Sequence, residues 1–396
     1  MRTVCYNFVI SLLKNSLDNF KHFFTANVLD SIKKEKPTEH SIDDDFPTSN
    51  AASAAMARLW NTNYGKREGH VGIKNLGCIC YMNSMMQQFF MVPTFRYSLL
   101  QVDDKIEPKW DSVQNYDDNT LHQVQRMFTF LDVSEREDYN PNSFCLSFKD
   151  WDGNSVNTSI QQDSQEFLNR FIDKMEEAVK PTQFKYLLNS VFGGKTCSQL
   201  ICEQGCGNMK NRYEDFYNLS LEVSNMKTIY DSLEKFIAPE KIDDYQCETC
   251  QKKVTITKRN SLAHLPNVLI VYLQRIYYNY ELDRNEKINS KLEFPHLLNL
   301  KNYTMEELYR KSQSKNNMVN EDELETDEIY FKTNDAYEYQ LVGVNVHIGT
   351  ADGGHYFSYI NSKRGGQGNE AEFDNKDDAH KNCWLKFNDS FISKFK

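Results

Sequence analysis

From Val71 to about Lys180 the apolar residues recur mostly at helical spacing. Met82, Met85, Met86 and Phe89 form one stripe, and Leu168, Phe171, Ile172 and Met175 form another. Residues three and four apart share one face of an α-helix, so a helical first lobe is predicted. After Phe184 the period changes. Tyr217, Leu219, Leu221 and Val223 alternate as a half-buried strand does, and Val268 to Leu273 is a continuous apolar run suited to a fully buried one. The remainder is therefore expected to be strand-rich. Two polar inserts interrupt it, from about Tyr309 to Glu328 and from Lys363 to Lys381, and both read as surface loops. There is no internal repeat.

Ahead of Val71 the pattern is weaker. Leu13, Leu17, Phe20 and Phe24 suit an amphipathic helix that packs on something outside this sequence. A signal peptide is the less favoured alternative, because Lys14 and Asn15 end the apolar segment at Leu13 and no small-residue cleavage pattern follows. Residues 25 to 65, with Lys33 to Lys36, Asp43 to Asp45 and two prolines, read as a linker ending near Gly69.

Composition narrows the classes. A 396-residue chain that is 40% hydrophobic can fill a substantial core. Its 56 acidic against 46 basic side chains leave a net charge of -10, which argues against a nucleic-acid partner and for a basic one. No apolar run approaches the roughly 20 residues of a membrane-spanning helix. Ten cysteines in so long a chain, as two close pairs and several singles, suit a reducing compartment, cytosol or nucleus.

Three segments carry candidate chemistry. In Asn75-Leu76-Gly77-Cys78-Ile79-Cys80-Tyr81-Met82-Asn83-Ser84 a turn runs into the Met stripe, placing Cys80 at a helix N-terminus. Unpaired N–H groups there favour a thiolate, so a Cys80 pKa below the free value of ~8.5 is expected, and the same groups can hold an oxyanion. The competing assignment is an inert cysteine in a packed turn. Gly353-Gly354-His355-Tyr356 opens an apparent strand reached from another, Tyr339 to Val346, and its imidazole can take a thiol proton and return it to a departing amine. Asn388 and Asp389 follow, either able to orient that imidazole. Taken singly, such a histidine is more often structural. Finally, Cys202-x3-Cys206 and Cys247-x2-Cys250 offer four thiolates at hairpin-like spacings, suited to one tetrahedral structural zinc. No open coordination position is implied.

Together these segments resemble the ubiquitin-specific protease family. The cysteine box is similar to Asn75 to Ser84, and the histidine box to Tyr339 to Asn361 with Trp384 to Asp389. Gln161 to Phe167, Phe192 to Lys195 and Leu265 to Arg275 match between them, so the likeness runs from about Val71 to Phe395. Gly349 to Tyr356 is most similar to the very large members of the fat-facets type.

The resemblance implies a cysteine-type deubiquitinase acting on ubiquitin and ubiquitinated proteins, with neither nucleic acid nor membrane as partner. Cys80 would attack the carbonyl of the last ubiquitin glycine, His355 would be the base, Asn388 its orienting partner and Asp389 a helper. Asn75 matches the position that donates a side-chain N–H to the oxyanion. Asp163 matches the contact to the Arg-containing ubiquitin tail, with Tyr356, Gly353 and Gly354 lining the narrow part of its channel. Asp163 with Glu166 equally reads as a helix capping box.

The expected fold is α+β and papain-like: a helical thumb near 70–182, zinc-ribbon fingers near 195–262, and a β-rich palm, all within a catalytic domain of residues 70–396 that follows an N-terminal region of 1–69. Family members continue past the Trp-containing segment into another aromatic strand, so a truncated palm and low soluble yield are also expected. Cys78 and Ile79 depart from the small or polar residues usual before the nucleophile. Cys78 is thus a rival nucleophile, and an inactive ubiquitin-binding module is an alternative, as is a zinc-dependent interaction protein.

Overall fold

The structure is a computed structural model that describes residues 69–103, 119–150, 152–202, 205–316, 334–363 and 383–395. The N-terminal helix and linker expected before Gly69, the acidic tract Glu321 to Glu328 and most of the second polar insert lie outside the described residues. No helix among the described residues is long and apolar enough to cross a membrane. The chain divides into two compact units. One comprises Met1–Phe167, Val344–Val346 and Tyr356–Lys396, the other Leu168–Gly343 and His347–His355.

The described residues of the first unit up to Phe167 are mainly helical, as the spacing predicts. Helix Cys80–Phe90 buries its whole Met stripe, yet it is not amphipathic, since Asn83, Ser84 and Gln87 are buried too. Buried polar groups persist where they are hydrogen-bonded. Ser84 Oγ donates to Tyr81 O at 3.0 Å, and Gln87 Nε2 to Val71 O at 2.9 Å. Pro93 opens the next helix, Pro93–Leu100, at a position where a missing N–H costs no intrahelical bond. Helix Thr120–Val133 starts at Asn119, whose side chain accepts from His122 N–H, and buries Leu121, Val124, Met127, Phe128 and Leu131 along one face.

Helix Ser164–Val179 carries the second predicted stripe, with Leu168, Phe171, Ile172 and Met175 all buried. In the second unit a four-stranded antiparallel sheet has the order Met209–Phe216, Gly194–Ile201, Lys253–His264, Glu240–Gln246. Its core continues into the strand Leu219–Glu222, parallel to Val271–Gln274, and helix Ile229–Ile237, which a Thr228/Asp231 capping box starts.

Two expectations change here. The insert predicted to loop from Tyr309 begins inside a helix, Met305–Asn316, where Thr304 Oγ1 accepts from Glu307 N–H and Arg310 pairs with Glu307. The single strand expected from Tyr339 to Val346 is two, Glu338–Gln340 and Gly343–Gly349, because they pair in different sheets: the first runs antiparallel to Leu297–Asn299, a ladder that Leu341 N–H extends to His296 O at 2.8 Å, and the second belongs to the last sheet.

The last sheet has the order Gly343–Gly349, Gly354–Asn361, Trp384–Asn388, Phe391–Lys394. A strand therefore does follow the Trp-containing segment. It pairs with it in the register Asn388↔Phe391 across a tight turn in which Asp389 holds φ +52°.

Candidate active site

Cys80 is the first residue of its helix and is 3% exposed. The loop ahead of it is tied down locally. Asn75 Oδ1 accepts from Gly77 N–H at 3.0 Å and from Ile79 N–H at 3.2 Å, while Cys78 N–H donates to Thr158 O at 2.6 Å. The sulfur itself meets the backbone N–H of Tyr356 at 3.4 Å.

The expected drop in the Cys80 pKa is overturned. Burial is the largest influence and pushes the thiol up; the Tyr356 N–H opposes it, the Asp389 charge adds to it, and the N–H groups of Tyr81 and Cys80 pull down. The helix-terminal donors act in the predicted direction but are outweighed by desolvation.

Asp389 is gripped from two sides. Its Oδ2 accepts from Asn75 Nδ2 at 3.0 Å and its Oδ1 from Asn83 Nδ2 at 2.8 Å, while its backbone O accepts from Ile73 N–H at 3.0 Å. Asn388 is half-buried at the end of its strand. Asn83 was absent from the sequence-derived site, although a polar residue inside a Met stripe, three after the nucleophile, was a legible signal.

Asp163 does cap a helix: its Oδ1 accepts from Gln165 N–H at 2.7 Å. Its Oδ2 lies 3.4 Å from the hydroxyl of Tyr356, a buried side chain. One carboxylate thus reaches two partners.

In the second unit, Gly354 closes the hairpin that leads to His355. A Cβ there would lie 2.1 Å from Ile348 O and 2.5 Å from His347 Nε2, so only glycine fits, whereas a Cβ on Gly353 would meet nothing within 4 Å. Lys287 Nζ holds the hairpin by donating to His347 O at 2.9 Å and Gly349 O at 3.2 Å. His355 is half-buried and immediately precedes Tyr356 in the strand Gly354–Asn361.

The four paired cysteines converge. Register Ile201↔Met209 closes one hairpin around Cys202 and Cys206, Gln246↔Lys253 closes the other around Cys247 and Cys250, and pairing Ile201↔Thr257 brings both loops to the same end of the sheet. All four sulfurs lie within 4.8 Å of one another. Cys206 Sγ is 3.7 Å from Cys247 Sγ, too long for a disulfide and close to the ~3.8 Å edge of a tetrahedron with Zn–S bonds of ~2.3 Å. A Cβ on Gly205 would lie 2.7 Å from Cys202 Sγ and 3.2 Å from Cys250 Sγ. Protonation among the thiols is uneven: burial pushes Cys202 up to about 11, while the N–H groups of Cys250 and Thr249 hold Cys247 down to about 6. The donor set fits a structural zinc.

The family model described as "Ubiquitin carboxyl-terminal hydrolase" matches residues 71–396. Among curated relatives, ubiquitin carboxyl-terminal hydrolase 9X of Mus musculus is 31% identical over 369 residues, covering 83% of this chain, and hydrolase 24 of the same species is 34% identical over 333 residues. Ubiquitin carboxyl-terminal hydrolase puf of Drosophila melanogaster is 32% identical over 360 residues. The chain spans 14%, 12% and 8% of the lengths of these three proteins, so its relatives are indeed very large. A solved structure, the SAGA Ubp8/Sgf11/Sus1/Sgf73 DUB module bound to ubiquitin aldehyde, contains a chain of similar fold. It has a TM-score of 0.59 and 22% identity, with 87% of this chain and 71% of that one covered. The likeness supports the α+β, papain-like architecture.

Proposed function

The chain belongs to the ubiquitin carboxyl-terminal hydrolase family, and on that footing we propose that it is a thiol protease that hydrolyses the isopeptide bond after the C-terminal glycine of ubiquitin. The observation that carries this is the setting of Cys80: a sulfur at a helix start, faced by a backbone N–H, with the Asn75 amide anchored beside it.

Because burial keeps the Cys80 thiol protonated at neutral pH, attack requires a base to remove that proton as the carbon–sulfur bond forms. His355, next in sequence to the residue whose N–H meets the sulfur, is that base, and Asn388 orients its imidazole. The tetrahedral oxyanion is held by the N–H of Cys80 and by Asn75 Nδ2, which has a second hydrogen beyond the one given to Asp389. His355 then protonates the departing amine, and water, deprotonated by the same imidazole, releases ubiquitin from the acyl-enzyme.

Residues 70–182 act as thumb and 195–262 as fingers of a catalytic domain spanning 70–396, with Tyr356, Gly353 and Gly354 beside the ubiquitin tail. Cys202, Cys206, Cys247 and Cys250 hold one zinc ion, which supplies a crosslink at the tip of the sheet. Ubiquitin and ubiquitinated proteins are the partners; nucleic acid and membrane are not. Cytosol or nucleus is the compartment that suits these cysteines.

Release of fluorophore from a ubiquitin C-terminal amide tests the activity, and a folded, melting chain without turnover would refute it. Asp163→Asn tests the tail contact in the same assay. Asn caps a helix as well as Asp, so the melting temperature should hold. Loss of one charged partner for the ubiquitin arginine should raise KM about tenfold with kcat little changed. An unchanged KM would leave Asp163 with its capping role alone.

A further inference from the structure

Asn83 is 2% exposed, one turn along the helix that Cys80 begins. Its Nδ2 donates to Asp389 Oδ1 at 2.8 Å and lies 3.2 Å from Lys74 O and 3.4 Å from Ile73 O. Its Oδ1 is buried and finds no hydrogen-bond partner among the described residues. An unbonded buried carbonyl oxygen costs free energy, so the amide is useful here for its donors alone.

Those donors act on a carboxylate whose other oxygen already accepts from Asn75 Nδ2. The last torsion of an aspartate is broad, and a carboxylate held at one oxygen can swing. Held at both by amides from separate segments, it is fixed. Asn75 is fixed at its opposite end by Gly77 N–H and Ile79 N–H. With one Nδ2 hydrogen on Asp389, the direction of the second is then set.

We propose that Asn83 is a positioning residue for the oxyanion site: by locking the Asp389 carboxylate it aims the Asn75 side-chain N–H at the oxygen that becomes negative during attack. This rests on the hydrolysis proposed above. The competing role is a structural staple that joins the helix to residues 73–74.

Two probes separate these roles. Ubiquitin aldehyde adds Cys80 to its terminal carbonyl, and the hemithioacetal oxygen occupies the oxyanion site. Ubiquitin carrying a 2-bromoethyl amide at its C-terminus alkylates Cys80 by displacing bromide, with no oxyanion formed. Asn83→Ala should lower kcat on the ubiquitin amide about tenfold or more, with KM within about twofold. Affinity for the aldehyde should fall by a similar factor, while bromoethyl alkylation stays within about twofold of wild type. In an Asn75→Ala background the same substitution should cost less than about twofold more, because its effect runs through Asn75.

Proportional losses with both probes, additive losses in the double variant, or an unaltered kcat would each overturn the proposal. Asn83→Ser, smaller and still polar, carries the same comparison where Asn83→Ala does not fold. A wild-type chain that neither turns over nor alkylates would refute the deubiquitinase function itself, an outcome distinct from an active chain indifferent to residue 83.

Discussion

Cys80→Ala should abolish ubiquitin-amide turnover, while Cys78→Ala should retain most of it. Removing a nucleophile from an assembled site costs on the order of 10⁶ in kcat, and what survives comes from binding and oxyanion contacts. The two cysteines are only two positions apart, yet the structure treats them differently. Cys80 Sγ meets the Tyr356 N–H, and its helix follows directly from the Ile79 N–H that Asn75 orients. Cys78 is half-buried, and its N–H is committed to Thr158 O. Mass mapping after labelling with the bromoethyl probe should therefore place the adduct on Cys80. An adduct that survives Cys80→Ala and disappears in Cys78→Ala would reverse the assignment.

The pH dependence has a definite sign. Burial raises the Cys80 pKa above the ordinary thiol range, so the thiolate fraction at neutral pH is small and grows as pH rises. With His355→Ala no imidazole takes the proton, and alkylation by a small reagent should follow the thiolate and climb steadily as pH rises into the alkaline range. A level profile in that variant would mean that His355 is not the base.

How much of this was legible beforehand follows from the range of the interactions. The two helical stripes were readable because period and burial coincide over adjacent turns. Helix Met305–Asn316 was missed because its sequence is too polar to show a stripe; Thr304 as a cap and the Glu307–Arg310 pair were its available signals. The Cys80, His355 and Asn388 segments were recognisable because each is a short local pattern. The grip of Asn75 and Asn83 on Asp389 was not, since it joins positions 314 and 306 residues apart. The Cys80 pKa was misjudged for a related reason. Helix position is a local property and predicted the attraction correctly, but desolvation depends on how deeply the finished fold buries the sulfur.

The cysteine cluster sits in a part of the sheet with little else to hold it together. Among the described residues, Ile256 and the partly buried Leu200, Ile242, Tyr245 and Val254 pack around it, a small core for stabilising two hairpin loops. Four thiolates on one zinc would supply what that core lacks, because metal binding to a site absent from the unfolded chain is folding free energy, about 10 kcal/mol or more in small zinc modules. Wild-type protein should therefore contain about one zinc per chain by atomic mass spectrometry. Cys247→Ser removes a sulfur that the N–H groups of Cys250 and Thr249 hold toward the thiolate form. It should abolish the bound zinc and open the Gly194–Ile201 to Lys253–His264 region to proteolysis, with melting lowered by several degrees. Gly205→Ala is the subtler probe, since its methyl would press on two ligand sulfurs while leaving all four in place; it should weaken zinc retention against a chelator without abolishing loading. Metal-free wild-type protein with the same protease resistance would sink the zinc assignment and leave the four thiols as a packed but unligated cluster.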